Sequence, residues 1–221
     1  MYKLQKVTPE SVAARDFLAI PKTLYDMRHC IQDETVEREL ITDTHPLSSS
    51  FNFTAYVVYD GTLPVARYGL TLYPDKTLYI GFFESINDAG VAQYLFAQVD
   101  TFARHHHIDT IVGPVDASFW IRYRLKINHF AERPYTAEPY NLDYYEQLFL
   151  KNGYHVTDRY VSTFYKNFLP KKHSREFAGK YKEFKDKKYR IVGINAHNFD
   201  VSIRAIYDMV MELYADFPVF R

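Results

Sequence analysis

Cysteine is almost absent: Cys30 is the only one in 221 residues. An intramolecular disulfide is excluded, and a thiolate-held metal cluster would need more ligands. That scarcity points to a reducing compartment. Glycine is also scarce, at eight residues, which argues against collagen-like, linker-like and multi-glycine phosphate-loop architectures. Net charge is absent, with 27 basic and 27 acidic side chains, so a generic polyanion binder is not expected. No stretch approaches 18 uninterrupted apolar residues, which argues against a membrane span. The opening MYKLQKVTPESVAARD has no apolar core and carries early charge, unlike a secretory signal. A cytoplasmic protein with no membrane partner is the expectation.

Aromatic residues, in contrast, are plentiful: 20 Tyr and 17 Phe beside one Trp. With 47% hydrophobic and 24% charged residues, the composition builds a core and excludes wholesale disorder. The length fits one large domain, or one domain and part of a second. Residues 2–8 read as a strand. Thr8 and Ser11 are both placed to cap a following helix, and Pro21 is expected to end or kink it near Ile20. Residues 33–43 form an acidic segment, helical or mobile. Strands are expected at 53–59, 65–73 and 77–84, with Asp60-Gly61 and Pro74-Asp75 as turns. On the last, Leu78, Ile80 and Phe82 are expected on one face, with Tyr79, Gly81 and Phe83 on the other. Val91, Leu95, Val99 and Phe102 give helical spacing over 89–105, with Asn87 or Asp88 as the cap. A strand at 108–115, a helix at 142–152 closed by Gly153, and a strand at 154–164 follow. The strand–helix–strand unit after a meander argues a mixed α/β fold with at least one parallel pair.

Residues 166–190 carry ten positive and three negative side chains, the signature of a basic helical linker. Residues 189–195 read as a strand and 200–214 as an amphipathic helix. This tail parallels the start of the chain, with IYDM echoing LYDM, and suggests the opening of a second repeat or the completion of the first sheet. The expected organisation is residues 1–165, 166–190 and 191–221.

The segments IGFFESINDAGVAQYLFAQVDTFARHHHIDTIVGP and EPYNLDYYEQLFLKNGYHV resemble the GNAT superfamily of acetyl-CoA-dependent acyltransferases. They match its fourth strand, pyrophosphate loop, third helix, fifth strand, and fourth helix with the following strand. GPVDASFWIRYR resembles a poorly characterised GNAT-like subgroup. The resemblance spans about residues 50–165. It implies a mostly antiparallel sheet with one splayed parallel pair and helices on both faces. It implies acetyl-CoA or a related acyl-CoA as co-substrate, contacted by Phe83, Ser85, Asn87, Gly90, Val91 and Ala92. It also implies a base at the end of the fourth strand, which is Glu84 here. The family's usual tyrosine donor is replaced by Phe149; Tyr145, one turn earlier on the same helical face, is the candidate substitute. Asn87 stands where a longer Gln or Arg is usual, and Asp88 adds a negative charge.

The loop 113–141 holds the polar and aromatic candidates for an acceptor pocket: Asp116, Ser118, Trp120, Tyr123, Arg124 and Asn141. Against that stands a loop simply folded onto the sheet by its aromatics. His105, His106 and His107 are consecutive and cannot all face one ion, so no metal is expected. Three functions remain open. The first is acyl transfer from acyl-CoA to a small amine or amino-acid-like acceptor. The second is a non-catalytic binding module, and the third an aminoacyl-tRNA-dependent tandem transferase. The basic segment motivates tRNA, but it lacks the aromatic interleaving of a base-stacking surface. A homodimer stays open.

Overall fold

In the computed structural model, residues 1–163 and 170–216 are described. They fall into two compact units, divided between residues 155 and 156. In the first, strands β1 (Tyr2–Lys6), β2 (Asn52–Asp60), β3 (Leu63–Leu72), β4 (Leu78–Ser85) and β5 (Ile111–Val112) form one sheet in that order. Neighbours are antiparallel except β4 and β5, which run parallel. Helix α3 (Ala89–His105) supplies the crossover between them. This is the mixed α/β arrangement that the GNAT resemblance implies.

Each face of the sheet has its own core. One face packs Leu78, Ile80 and Phe83 against Val91, Leu95 and Phe96 of α3, and against Leu148 and Phe149 of α4 (Tyr145–Lys151). The opposite face packs Val57, Tyr79 and Phe82 against Phe17 and Leu18 of α1 (Val12–Leu24) and Leu40 of α2 (Glu34–Ile41). The helix caps follow from side chains. Ser11 accepts from the amide of Ala14, Asp33 from those of Thr35 and Val36, and Asp88 from that of Val91. Gly153 takes the left-handed conformation (φ +91°) that closes α4.

Of the two forms open for residues 33–43, the structure has the helix, α2, with Glu37 buried. It departs from the sequence-based expectations at four places. Helix α1 does not end at Ile20; it runs through Pro21 to Leu24. The alternation along β4 breaks, with Phe82 joining Tyr79 on one face and Phe83 joining Ile80 on the other. The fifth strand shrinks from 108–115 to Ile111–Val112, because the chain then leaves the sheet. After a cis Gly113-Pro114 bond, β6 (Val115–Asp116) pairs instead with β7 (Arg122–Tyr123). Finally, residues 154–163 and 189–195 form no strand. A strand needs backbone partners, and neither segment lies in a ladder among the described residues. The end of the first prediction, Phe164, lies outside the described residues.

The second unit contains α5 (Pro170–Asp186) and α6 (Phe199–Leu213). No residue of α6 is buried, although its sequence is amphipathic.

Candidate active site

The site is organised by a bulge in β4. Arg67 of β3 faces Glu84 and Gly69 faces Gly81, so two residues, Phe82 and Phe83, oppose Tyr68. Phe82 takes φ +47° to make the extra step, a conformation costing about 1 kcal/mol or more for a residue with a Cβ. The consequence is a change of parity. Gly81 and Phe82 both turn to the α1 face, and Glu84 follows two residues later, beside Arg67. Without the bulge, Glu84 would point to the α3 face.

Gly81 is required for a second reason. The chain after β5 crosses over β4 at this point, and a Cβ on Gly81 would overlap the Val115 carbonyl. The crossover brings Asp116 onto the bulge, where its Oδ1 accepts from the amide of Phe82. Its Oδ2 lies 3.4 Å from Nε of Arg122. Burial pushes the Asp116 carboxyl above its ordinary range, with Arg122 opposing.

Glu84 is 8% exposed. Its Oε2 accepts from Tyr25 at 2.5 Å and from Tyr145 at 2.7 Å. Burial raises its pKa to about 7, against the opposing pull of Arg67 and the two phenols. Burial and the neighbouring carboxylate push both phenols upward, so each stays protonated at neutral pH. The amide of Ser85 donates to the Tyr145 hydroxyl at 3.0 Å, and Tyr144 donates to the Ser85 carbonyl at 2.7 Å. Helix α4 is therefore tied to the end of β4 by two adjacent tyrosines.

Arg67 does not bond Glu84; Nη2 to Oε1 is 4.0 Å. It is held by Glu37 instead, through Nη1 to Oε2 at 2.7 Å and Nη2 to Oε1 at 2.9 Å. Nη1 also donates to the Phe17 carbonyl at 2.9 Å. That carbonyl is available because of Pro21: residue 21 would bond it in an ordinary helix, and proline has no N–H. Gln32 donates to Glu37 at 2.7 Å and to the Leu18 carbonyl. The pair is buried on both sides, where an ionic interaction is sustained by such additional hydrogen bonds.

The remaining predicted residues divide. Phe83, Val91 and Ala92 have side chains in the core, and Ser85 is fully buried with its hydroxyl on the Ile86 carbonyl. Asn87 and Gly90 are exposed at the start of α3. There, Oδ1 of Asp88 takes the Val91 amide at 2.8 Å and the Tyr2 hydroxyl at 3.3 Å. A carboxylate thus occupies the helix start that the resemblance assigns to a pyrophosphate. Asn141 staples the loop, accepting from the amide of Lys126 and donating to its carbonyl. Arg124 pairs with Glu138 at 3.0 Å and lies over the Tyr123 ring. The Ser118 hydroxyl accepts from the amide of Trp120. Trp120 is half exposed and lines a cleft away from Glu84. No group of three His, Cys, Asp or Glu suited to a metal occurs among the described residues. No helix among them is long and apolar enough to cross a membrane.

Sequence reasoning missed Tyr25, Glu37 and Arg67. Tyr25 lies at the end of a helix, Glu37 in an acidic run and Arg67 in a strand, and none of them belongs to a motif. A charged residue within a run of strand-forming residues was the available signal for Arg67.

No family model matches the chain, and no curated protein matches it. Similar solved structures exist. An aminoglycoside acetyltransferase from an uncultured soil metagenomic sample, in complex with sisomicin, is 11% identical. It has a TM-score of 0.46, and the match covers 76% of this chain and 97% of that one. A predicted acetyltransferase with acetyl-CoA from Clostridium acetobutylicum is 11% identical, with a TM-score of 0.43 and coverage of 74% and 96%. An N-acetyltransferase from Staphylococcus aureus Mu50 is 12% identical, with a TM-score of 0.40 and coverage of 50% and 69%. Each of these three solved structures is described as an acetyltransferase.

Proposed function

We propose that the chain is an acyltransferase that moves an acyl group from an acyl-CoA thioester to a small amine. One observation carries this reading: Glu84, a buried carboxylate with a pKa of about 7, held by two phenols at the end of the strand that splits from its parallel partner. A base with that pKa matches proton transfer at neutral pH. In the step proposed, the amine nitrogen attacks the thioester carbonyl; the C–N bond forms and the C–S bond breaks. The amine proton passes to Glu84. The departing thiolate takes a proton from Tyr145 or from water, and a Tyr145 that has donated regains one from protonated Glu84. The residues that support a thioester donor are those of the β4–α3 turn. There Asp88 must yield the Val91 amide before a pyrophosphate can use it.

A second reading, a binding module without turnover, is favoured by Phe149. It stands at the usual donor position, is buried, and has no proton to give. Release of free thiol from acetyl-CoA, measured with a panel of primary amines, separates the two. The acyltransferase reading expects amine-dependent release, with Glu84→Gln losing roughly 100-fold or more in kcat. Thiol release that no amine stimulates would leave the binding module.

A further inference from the structure

A cleft of about 890 Å³ opens between the segment after α1, the start of α2 and the loop that follows β7. Its walls combine three guanidinium groups, Arg28, Arg122 and Arg133, with the rings of Trp120 and Tyr135 and the apolar Ile31. Two carboxylates also line it, but both are engaged. Asp33 caps α2, and Glu138 pairs with Arg124. Arg28 is paired with Asp26, and Arg122 with Asp116 and the Ile31 carbonyl. Arg133 has no hydrogen-bond or ion-pair partner among the described residues. The unmet charge of the cleft is therefore positive, and it stands beside aromatic rings that are 49% and 60% exposed.

We propose that this cleft binds a small aromatic carboxylate, with the ring against Trp120 and Tyr135 and the carboxylate on Arg133. A guanidinium meets a carboxylate through two parallel N–H donors, a geometry an ammonium cannot offer. Exposed flat rings give contact area at little entropic cost. The cleft is also connected toward Glu84 by two routes, one along the chain and one through polar contacts. Met27 on its rim is two residues from Tyr25, and Arg122 holds the Asp116 that bonds the β4 bulge. Two residues span at most about 7 Å. An acceptor amine bearing an aromatic carboxylate would therefore lie with its charged end here and its amine toward Glu84. That placement rests on the acyltransferase reading; binding in the cleft does not.

The test uses the full chain and the emission of Trp120, its sole tryptophan. Phenylacetate is titrated in parallel with benzylamine, acetate and inorganic phosphate, with calorimetry as the second readout. The expected result is a saturable change with phenylacetate at a Kd below about 1 mM. Benzylamine should give none, and acetate and phosphate should bind at least tenfold more weakly. Arg133→Gln should weaken phenylacetate about tenfold or more at unchanged thermal midpoint, and Arg133→Lys should recover only part of it. The proposal is overturned if phenylacetate gives no saturable signal up to about 10 mM, if phosphate or benzylamine binds as well, or if Arg133→Gln binds like the parent. Phenylacetate binding without any acyl transfer would support the cleft and remove the acceptor placement.

Discussion

At the scale of single residues, Glu84 combines three effects that rarely coincide. Burial raises its pKa, two phenols steady its carboxylate, and Arg67 stands at 4.0 Å without bonding it. A carboxyl whose folded pKa exceeds its unfolded value weakens the fold as pH rises. Below pH 4.5 it is protonated in both states. Between 4.5 and about 7 the unfolded chain releases the proton first. The folded state then loses up to about 3 kcal/mol, and the loss is complete above pH 7. Glu84→Gln should remove that dependence. Its stability against urea, relative to the parent, should improve steadily from pH 4.5 to 7.5; a constant difference across that range would count against a raised pKa. Glu37 is the positioning residue in this arrangement, because its grip on Arg67 withholds the guanidinium from Glu84. In Glu37→Gln the cation should turn toward Glu84 and lower the carboxyl's pKa by a unit or so. Carbon-detected NMR titration of the Glu84 carboxyl measures this without requiring activity. A midpoint that stays put or rises would show that Glu37 has no such role.

At the scale of elements, short irregularities position the chemistry. Pro21 frees the Phe17 carbonyl for Arg67; the bulge at Phe82 turns Glu84 to the α1 face; Gly81 lets the 113–116 crossover lie against β4. Each runs against a local rule, as functional sites commonly do. The start of α3 is a further case. Asp88 stabilises the helix by capping it, yet it occupies an amide that a phosphate would use. Asp88→Ala should cost about 1 kcal/mol of stability and, on the acyl-CoA reading, tighten acetyl-CoA binding several-fold by calorimetry. Weaker binding in the variant would show that this helix end does not receive the pyrophosphate.

At the scale of the whole molecule, both buried clusters lie within residues 1–155. A fragment ending at residue 155 should therefore unfold cooperatively, with a thermal midpoint within a few degrees of the full chain; a non-cooperative transition would mean that the remaining residues complete the core. The neutral composition averages a basic segment at 166–190 against an acidic remainder. The sequence by itself determined β1 to β4, α1, α3 and α4, because aromatic and β-branched runs, turn dipeptides and helical spacing act over a few residues. The resemblance to the GNAT superfamily singled out Glu84 and Tyr145 as candidates, through the places they hold in those elements. The sequence misplaced strands at 154–164 and 189–195, since a strand exists only if a neighbour supplies its hydrogen bonds. Only the tertiary structure decided that Tyr25, 59 residues from Glu84, bonds the same oxygen as Tyr145. The same holds for Glu37 and Arg67, 30 residues apart. Such contacts depend on which faces meet across the sheet, and a single bulge reverses that choice for every residue after it.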